Sequence, residues 1–262
     1  KHKMKKIIIV IFAAVIIIGC TKKEEKKTEP EKTKTDSTEQ VQKKTPDSAS
    51  FEGAGLNNPD AVDSLSEIKY GIKEIPKSLK YTGKIAASAS WKDKNGLNVL
   101  LITETKDKKV REEKMDGKYL EQESAYSKEF FGYQFLVKGD TAELLWKIQD
   151  IVKECDADLT LDYIANSLSV TDINKNGIGE STFLYTLGCR SDVSPLGYKL
   201  LMHEGKDKYA IRGTRLIVMK GAKPYGGEIK VDPSFDNAPA GFLDYAKKQW
   251  KKFEKEKFNT SD

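Results

Sequence analysis

A mainly β domain of antiparallel hairpins with one C-terminal amphipathic helix is the fold class the sequence predicts. Three observations carry it. Apolar runs of strand length recur between residues 81 and 231; turn signals rich in Gly, Asn and Asp separate them; and large apolar residues fall at helical spacing only after Pro239.

Residues 81–91 lead through Lys92-Asp93-Lys94-Asn95-Gly96 into residues 98–105, whose Val99-Leu100-Leu101-Ile102 center reads as a buried strand. The Asn-Gly pair supplies the positive φ that a tight hairpin needs. Residues 130–137 and 143–149 pair about Lys138-Gly139-Asp140, and residues 198–203 and 209–213 about Glu204-Gly205-Lys206-Asp207. Residues 216–219 and 228–231 complete the strands. Pro239 suits a first helical turn; Phe242, Ala246, Trp250 and Phe253 then repeat at helical spacing, ahead of lysines that favor the negative end of the helix dipole. Such a stripe packs on the sheet or lies on a membrane surface, and packing is the commoner outcome.

The chain divides into three segments. Residues 1–20 have lysines at 5 and 6, an apolar run over 7–18 and then Gly19-Cys20. The run is too short to span a bilayer and fits a secretory signal peptide. Ile17-Ile18-Gly19-Cys20 resembles the bacterial lipobox, which implies diacylglycerol on Cys20 and a membrane contact through that lipid. Residues 21–67 are expected to form a charged, disordered stalk, since their first thirty residues have almost no apolar content to bury. Lys23-Glu24-Glu25 either resembles a signal that sends lipoproteins to the outer leaflet of a Gram-negative outer membrane or is an ordinary charged tether. Residues 68–262 form the single folded domain. Residues 51–262 hold 33 basic and 33 acidic side chains, so the formal +5 resides upstream. A neutral domain argues against nucleic acid as a partner.

With Cys20 lipidated, Cys155 and Cys189 remain, and a lone pair in an exported protein most often forms one disulfide. Two buried free thiols are the alternative. A redox pair lacks Cys-x-x-Cys spacing, and only His203 joins the cysteines as a zinc ligand.

Residues 172–180 carry the strongest hint of site chemistry. Asp172, Asn174, Asn176 and Glu180 present oxygens at loop positions 1, 3, 5 and 9, Gly177 turns the chain at position 6, and the Ile178 carbonyl adds a further ligand. The loop is similar to the calcium loops of integrin-type (FG-GAP) repeats. Two carboxylates and two amides make a weak Ca2+ site at best; the competing reading is a metal-free turn built on Asn176-Gly177. Residues 89–97 echo residues 169–178 when the Asn-Gly pairs are matched, which makes a propeller-like set of hairpins plausible.

Classical catalysis is poorly supported, because His203 lacks a nucleophile-elbow partner. Arg190 and Asp192, in the Cys189–Pro195 loop, are a possible ligand pair or an internal ion pair. A glycan-acting enzyme would draw its acids from carboxylates such as Glu104, Asp192 or Glu204, two of them about 5–10 Å apart.

Ile75-Pro76 with Tyr81-x-Gly83-Lys84, Ile102-Thr103-Glu104-Thr105, Trp146-Lys147-Ile148-Gln149-Asp150, the Asp172 loop, Cys189 to Pro195, Tyr209-Ala210-Ile211-Arg212-Gly213 and Gly226-Gly227-Glu228 together resemble a Gram-negative lipoprotein family labelled surface polysaccharide biosynthesis. The resemblance spans about residues 70–255, and Asn174 and Asn176 stand where acids are frequent in that family. It implies a lipid-anchored protein of the outer membrane, surface-exposed if the export signal operates, that makes or displays cell-surface glycan, with a glycan or an envelope protein as partner. It brings no catalytic residues.

Overall fold

The computed structural model describes residues 65–258. Two six-stranded antiparallel sheets account for most of this domain, and they pack face to face. The first holds β1 (Ser66–Tyr70), β2 (Lys84–Asp93), β3 (Gly96–Glu104), β4 (Lys108–Arg111), β7 (Ala125–Lys138) and β8 (Thr141–Cys155), in the order β1-β2-β3-β7 with β4 and β8 also paired to β7. A separate hairpin, β5 (Lys114–Asp116) with β6 (Tyr119–Gln122), leaves this sheet between β4 and β7. The second sheet holds β9 (Asp158–Tyr163), β10 (Ser169–Thr171), β11 (Glu180–Arg190), β12 (Gly197–Glu204), β13 (Asp207–Thr214) and β16 (Ile229–Val231), with β10 and β9 both paired to β11.

The mainly β expectation and the C-terminal helix hold. The hairpins gather into two large sheets sharing a core, however, not into the four-stranded blades of a propeller.

Three apolar layers explain why the central strands read as continuous apolar runs. Leu100 and Ile102 of β3, Phe130 of β7 and Trp146 of β8 meet Leu161, Phe183, Tyr185 and Leu201 of the second sheet. The alternate residues Val99, Leu101, Phe131, Tyr133 and Phe135 face outward and are covered by Ile72, Ile75 and Leu79. On the far face of the second sheet, Leu184, Tyr198, Leu200, Met202 and Ile211 pack against α1 (Phe242–Phe253) through Phe242, Ala246 and Trp250, all fully buried. Successive side chains of a strand point to opposite faces, so a strand covered on both sides is apolar throughout. The aromatic stripe of α1 is therefore packed on the sheet.

Pro239 lies before the helix, not in its first turn. Gly241, at φ +88°, caps α1, and the Pro239 carbonyl accepts a hydrogen bond from Phe242 N–H at 3.2 Å. One pairing departs from the antiparallel rule: β14 (Leu216–Met219) runs parallel to β17 (Lys255–Phe258), beside β15 (Tyr225–Gly226). The connection between them includes α1, and parallel neighbors require a long crossover of this kind.

Cys155 and Cys189 form a disulfide with Cα atoms 5.5 Å apart. Cys155 ends β8 and Cys189 lies near the end of β11, so the bond pins the point where the chain leaves the first sheet for the second.

Candidate functional site

The loop between β10 and β11 is a cage of internal hydrogen bonds. Asp172 Oδ2 accepts from Gly177 N–H at 3.1 Å, Asn174 Oδ1 from Asn176 N–H at 3.1 Å, and Asn176 Oδ1 from Ile178 N–H at 2.7 Å. Both oxygens of Glu180 accept from Ile173 N–H at 3.0 Å, and Thr171 Oγ1 donates to Glu180 Oε2 at 2.9 Å. The amides of Asn174 and Asn176 both donate to Glu204 Oε1 at 2.7 Å. β-Pairing brings Glu204 there, because it faces Glu180 across the β11–β12 ladder.

The turn of the first sheet docks onto this loop. Lys94 N–H donates to the Gly177 carbonyl at 2.9 Å, and Lys94 Nζ donates to the Asn176 carbonyl. Asp93 Oδ2 accepts from Gly179 N–H at 3.1 Å and from Trp91 Nε1 at 3.2 Å. Glycine is required at both loop positions. A Cβ on Gly177, at φ +81°, would lie 2.4 Å from Lys94 Cε, and one on Gly179 would lie 2.4 Å from the Trp91 indole nitrogen. The two echoed Asn-Gly turns are thus in direct contact, one from each sheet.

Glu180 is fully buried, and its carboxyl is pushed up to about 7. Burial is the largest cause; the Ile173 and Thr171 hydrogen bonds oppose it, while the charges of Glu204 and Asp172 add to it. A hard cation needs several oxygens with lone pairs converging on one point. Here one oxygen each of Asp172, Asn174 and Asn176 and both oxygens of Glu180 accept from the loop's own N–H groups, and both Asn amides turn to Glu204. The set fits a self-bonded turn better than a cation shell. Among the described residues, no group of three or more His, Cys, Asp or Glu side chains is arranged to hold a metal.

The remaining candidates are dispersed. Glu104 ends β3, where its Oε2 lies 3.2 Å from Lys128 Nζ and its Oε1 accepts from Tyr163 N–H at 2.7 Å. Eight residue steps along β3 separate it from Gly96, roughly 26 Å at strand rise. Glu204 belongs to the loop cage. Asp192 lies beyond the opposite end of β11, where the Ser194 hydroxyl and amide hold its carboxyl below the ordinary range. Arg190 is not paired with Asp192; it bonds Glu256 and the Ser194 carbonyl. His203 is buried and stacked on Trp146 with ring centroids 3.9 Å apart, and burial, with Lys208 adding to it, pushes its imidazole down to about 3.

Two open grooves of similar size lie outside these clusters. One, about 510 Å³, is lined by five charged side chains: Lys106, Lys108, Lys153, Glu129 and Glu154. The other, about 530 Å³, lies between the edge of the first sheet and the β9–β10 connection, and no charged side chain lines it. None of Glu104, Asp192 or Glu204 lines either groove.

No protein-family model, curated protein or solved structure matches the chain. Cys20 and Lys23-Glu24-Glu25 lie outside the described residues. Asp93 and Lys94, which complete the loop cage, were not legible as site residues: their partners are more than eighty positions away in sequence.

Proposed function

We propose that the chain is a lipid-anchored lipoprotein of the bacterial outer membrane whose β domain serves as a non-catalytic binding or assembly factor for surface polysaccharide. The lipobox-like ending at Cys20 supports the anchor, and the Cys155–Cys189 bond suits an oxidising compartment. The observation that carries the non-catalytic reading is the fate of the three carboxylates. Glu104, Asp192 and Glu204 sit in separate places, each holding a structural hydrogen bond. Glycoside chemistry needs two carboxyl groups flanking one bond.

Radiolabelled palmitate enters the wild-type chain and not Cys20→Ala if the anchor is correct; equal labelling removes it. Protease applied to intact cells digests the domain if it is displayed outside. A glycan array followed by turnover assays tests the remainder. Binding without turnover is expected, and hydrolysis of a bound glycan would replace the binding factor with an enzyme.

A further inference from the structure

We propose that the uncharged groove between Tyr70 and Tyr163 is a binding site for a neutral saccharide. This inference rests on the glycan-binding reading and narrows it to one place and one ligand class.

Tyr70 comes from β1 in the first sheet and Tyr163 from β9 in the second, and both hydroxyls are pinned to the same short segment. Tyr163 Oη accepts from Leu168 N–H at 2.9 Å, and Tyr70 Oη accepts from Val170 N–H at 3.0 Å. A third tyrosine holds the segment from behind, since Tyr245 of α1 donates its hydroxyl to Ser169 Oγ at 2.8 Å. The two groove tyrosines are therefore fixed before any ligand arrives, which lowers the entropic cost of binding. Tyr70 is nonetheless 53% exposed, a large aromatic ring held in place and left open to solvent.

The rest of the lining suits the same ligand. Gly71, Ala86 and Ala87 are small members of the lining. Asn166, exposed and at φ +62°, makes no side-chain hydrogen bond to any described residue, so both ends of its amide are available to hydroxyls. The C–H face of a pyranose complements the negative face of an aromatic ring, and its hydroxyls complement an amide. A volume of about 530 Å³ lies within the range of small-molecule sites, where apolar walls and a few polar groups fix orientation. With no charged side chain in the lining, nothing repays the desolvation of a uronate or phosphate. The groove holding Lys106, Lys108 and Lys153 is the natural contrast, since its charge would favor an acidic ligand.

The test is calorimetric titration of the full chain in mild detergent with maltotriose, cellotriose and triacetylchitotriose, and with trigalacturonate as the acidic probe. At least one neutral trisaccharide should bind, with Kd little changed by added salt. Tyr70→Ala should weaken it by about tenfold or more, as loss of a central aromatic anchor does. Asn166→Ala, at an exposed position, supplies a second reading should Tyr70→Ala not fold. Lys108→Ala combined with Lys153→Ala should leave the neutral sugar unaffected. Neutral binding insensitive to both Tyr70 and Asn166, or trigalacturonate binding alone with steep salt dependence, overturns this groove while glycan binding stands. Failure of every saccharide on the glycan array overturns the reading beneath it, and the groove assignment with it.

Discussion

The two Asn-Gly turns look alike in sequence and behave differently in the structure. In the first, Asp93 pairs with Gly96 across a two-residue turn, and a Cβ on Gly96 would meet only Leu136 Cδ1, at an ordinary 3.6 Å. In the second, eight residues separate the paired Thr171 and Glu180, and the loop fills with its own hydrogen bonds while receiving Asp93 and Lys94 from the first turn. The same dipeptide closes a hairpin in one place and builds a contact between sheets in the other. What differs is the surroundings: burial of Glu180, the reach of Glu204 and the approach of Lys94.

Substitution of the two glycines separates these roles and should give the largest effect. Valine at 177 must adopt φ near +81° and move the Lys94 side chain off the Asn176 carbonyl, so Gly177→Val is expected to cost about 2–4 kcal/mol. Gly96→Val also carries backbone strain, at φ +120°, but has space for its side chain, and about 1–3 kcal/mol is expected. Urea denaturation of both variants measures the difference. Equal losses would mean that the docking of the turns contributes nothing.

The second effect is a pH dependence carried by Glu180 of the longer loop. Folding raises the Glu180 carboxyl from 4.5 to about 7, so the folded state holds a proton that the unfolded chain releases between those values. Stability from this group is full below pH about 4.5 and declines through the interval, by about 3 kcal/mol once pH passes about 7. His203, one rung along the same ladder, has the opposite sign. Its imidazole falls from 6.5 to about 3, so its contribution is full above about 6.5 and is lost toward acid. Stability curves of wild type and Glu180→Gln between pH 4 and 8 should therefore diverge as pH rises, with the variant losing the downward component. Parallel curves would show that Glu180 ionizes freely in the folded protein.

Cutting the bridge itself should have a smaller effect. Asp93→Ala removes the acceptor for Gly179 N–H, Asn95 N–H and the Trp91 indole, and about 2 kcal/mol is expected because the indole of Trp91 is left buried. Combined with Asn176→Ala, the losses should be coupled, since Asp93 holds Gly179 N–H and Asn176 holds the neighboring Ile178 N–H of the same loop. Strict additivity would show that the two turns act independently.

Legibility in the sequence followed burial. The strands β3, β7 and β12, covered on both faces, announced themselves as apolar runs, and α1 did so by the spacing of Phe242, Ala246 and Trp250. The exposed β1 and the charged β4–β6 stretch gave no such signal, because ladder bonds and not side-chain burial define them. β9 was missed, although Leu159 and Leu161 alternate as a half-buried strand should. Within the loop, Asp172, Asn174, Asn176 and Glu180 all take part in one hydrogen-bonded turn. Their partners could not be read from spacing, since an oxygen pattern that suits a cation equally suits backbone N–H groups.

Calcium tests that last ambiguity, and the smallest effect is expected here. An ion entering the loop must share oxygens that already accept from Gly177, Asn176, Ile178 and Ile173 N–H groups. At a Kd of about 1 mM, the weak end of the extracellular-module range, 1 mM calcium stabilises the folded state by about 0.4 kcal/mol. For a domain of this size that is a Tm rise of roughly 1–2 °C. Asp172→Ala should abolish even this rise, and chelator should leave the wild-type melt unchanged. A rise above about 5 °C that disappears in Asp172→Ala would show that the cage reopens around an ion, making the longer turn a metal site and the shorter one its buttress. A rise that survives Asp172→Ala would place the ion elsewhere on the domain, leaving the two turns as joined hydrogen-bonded corners of the sheets.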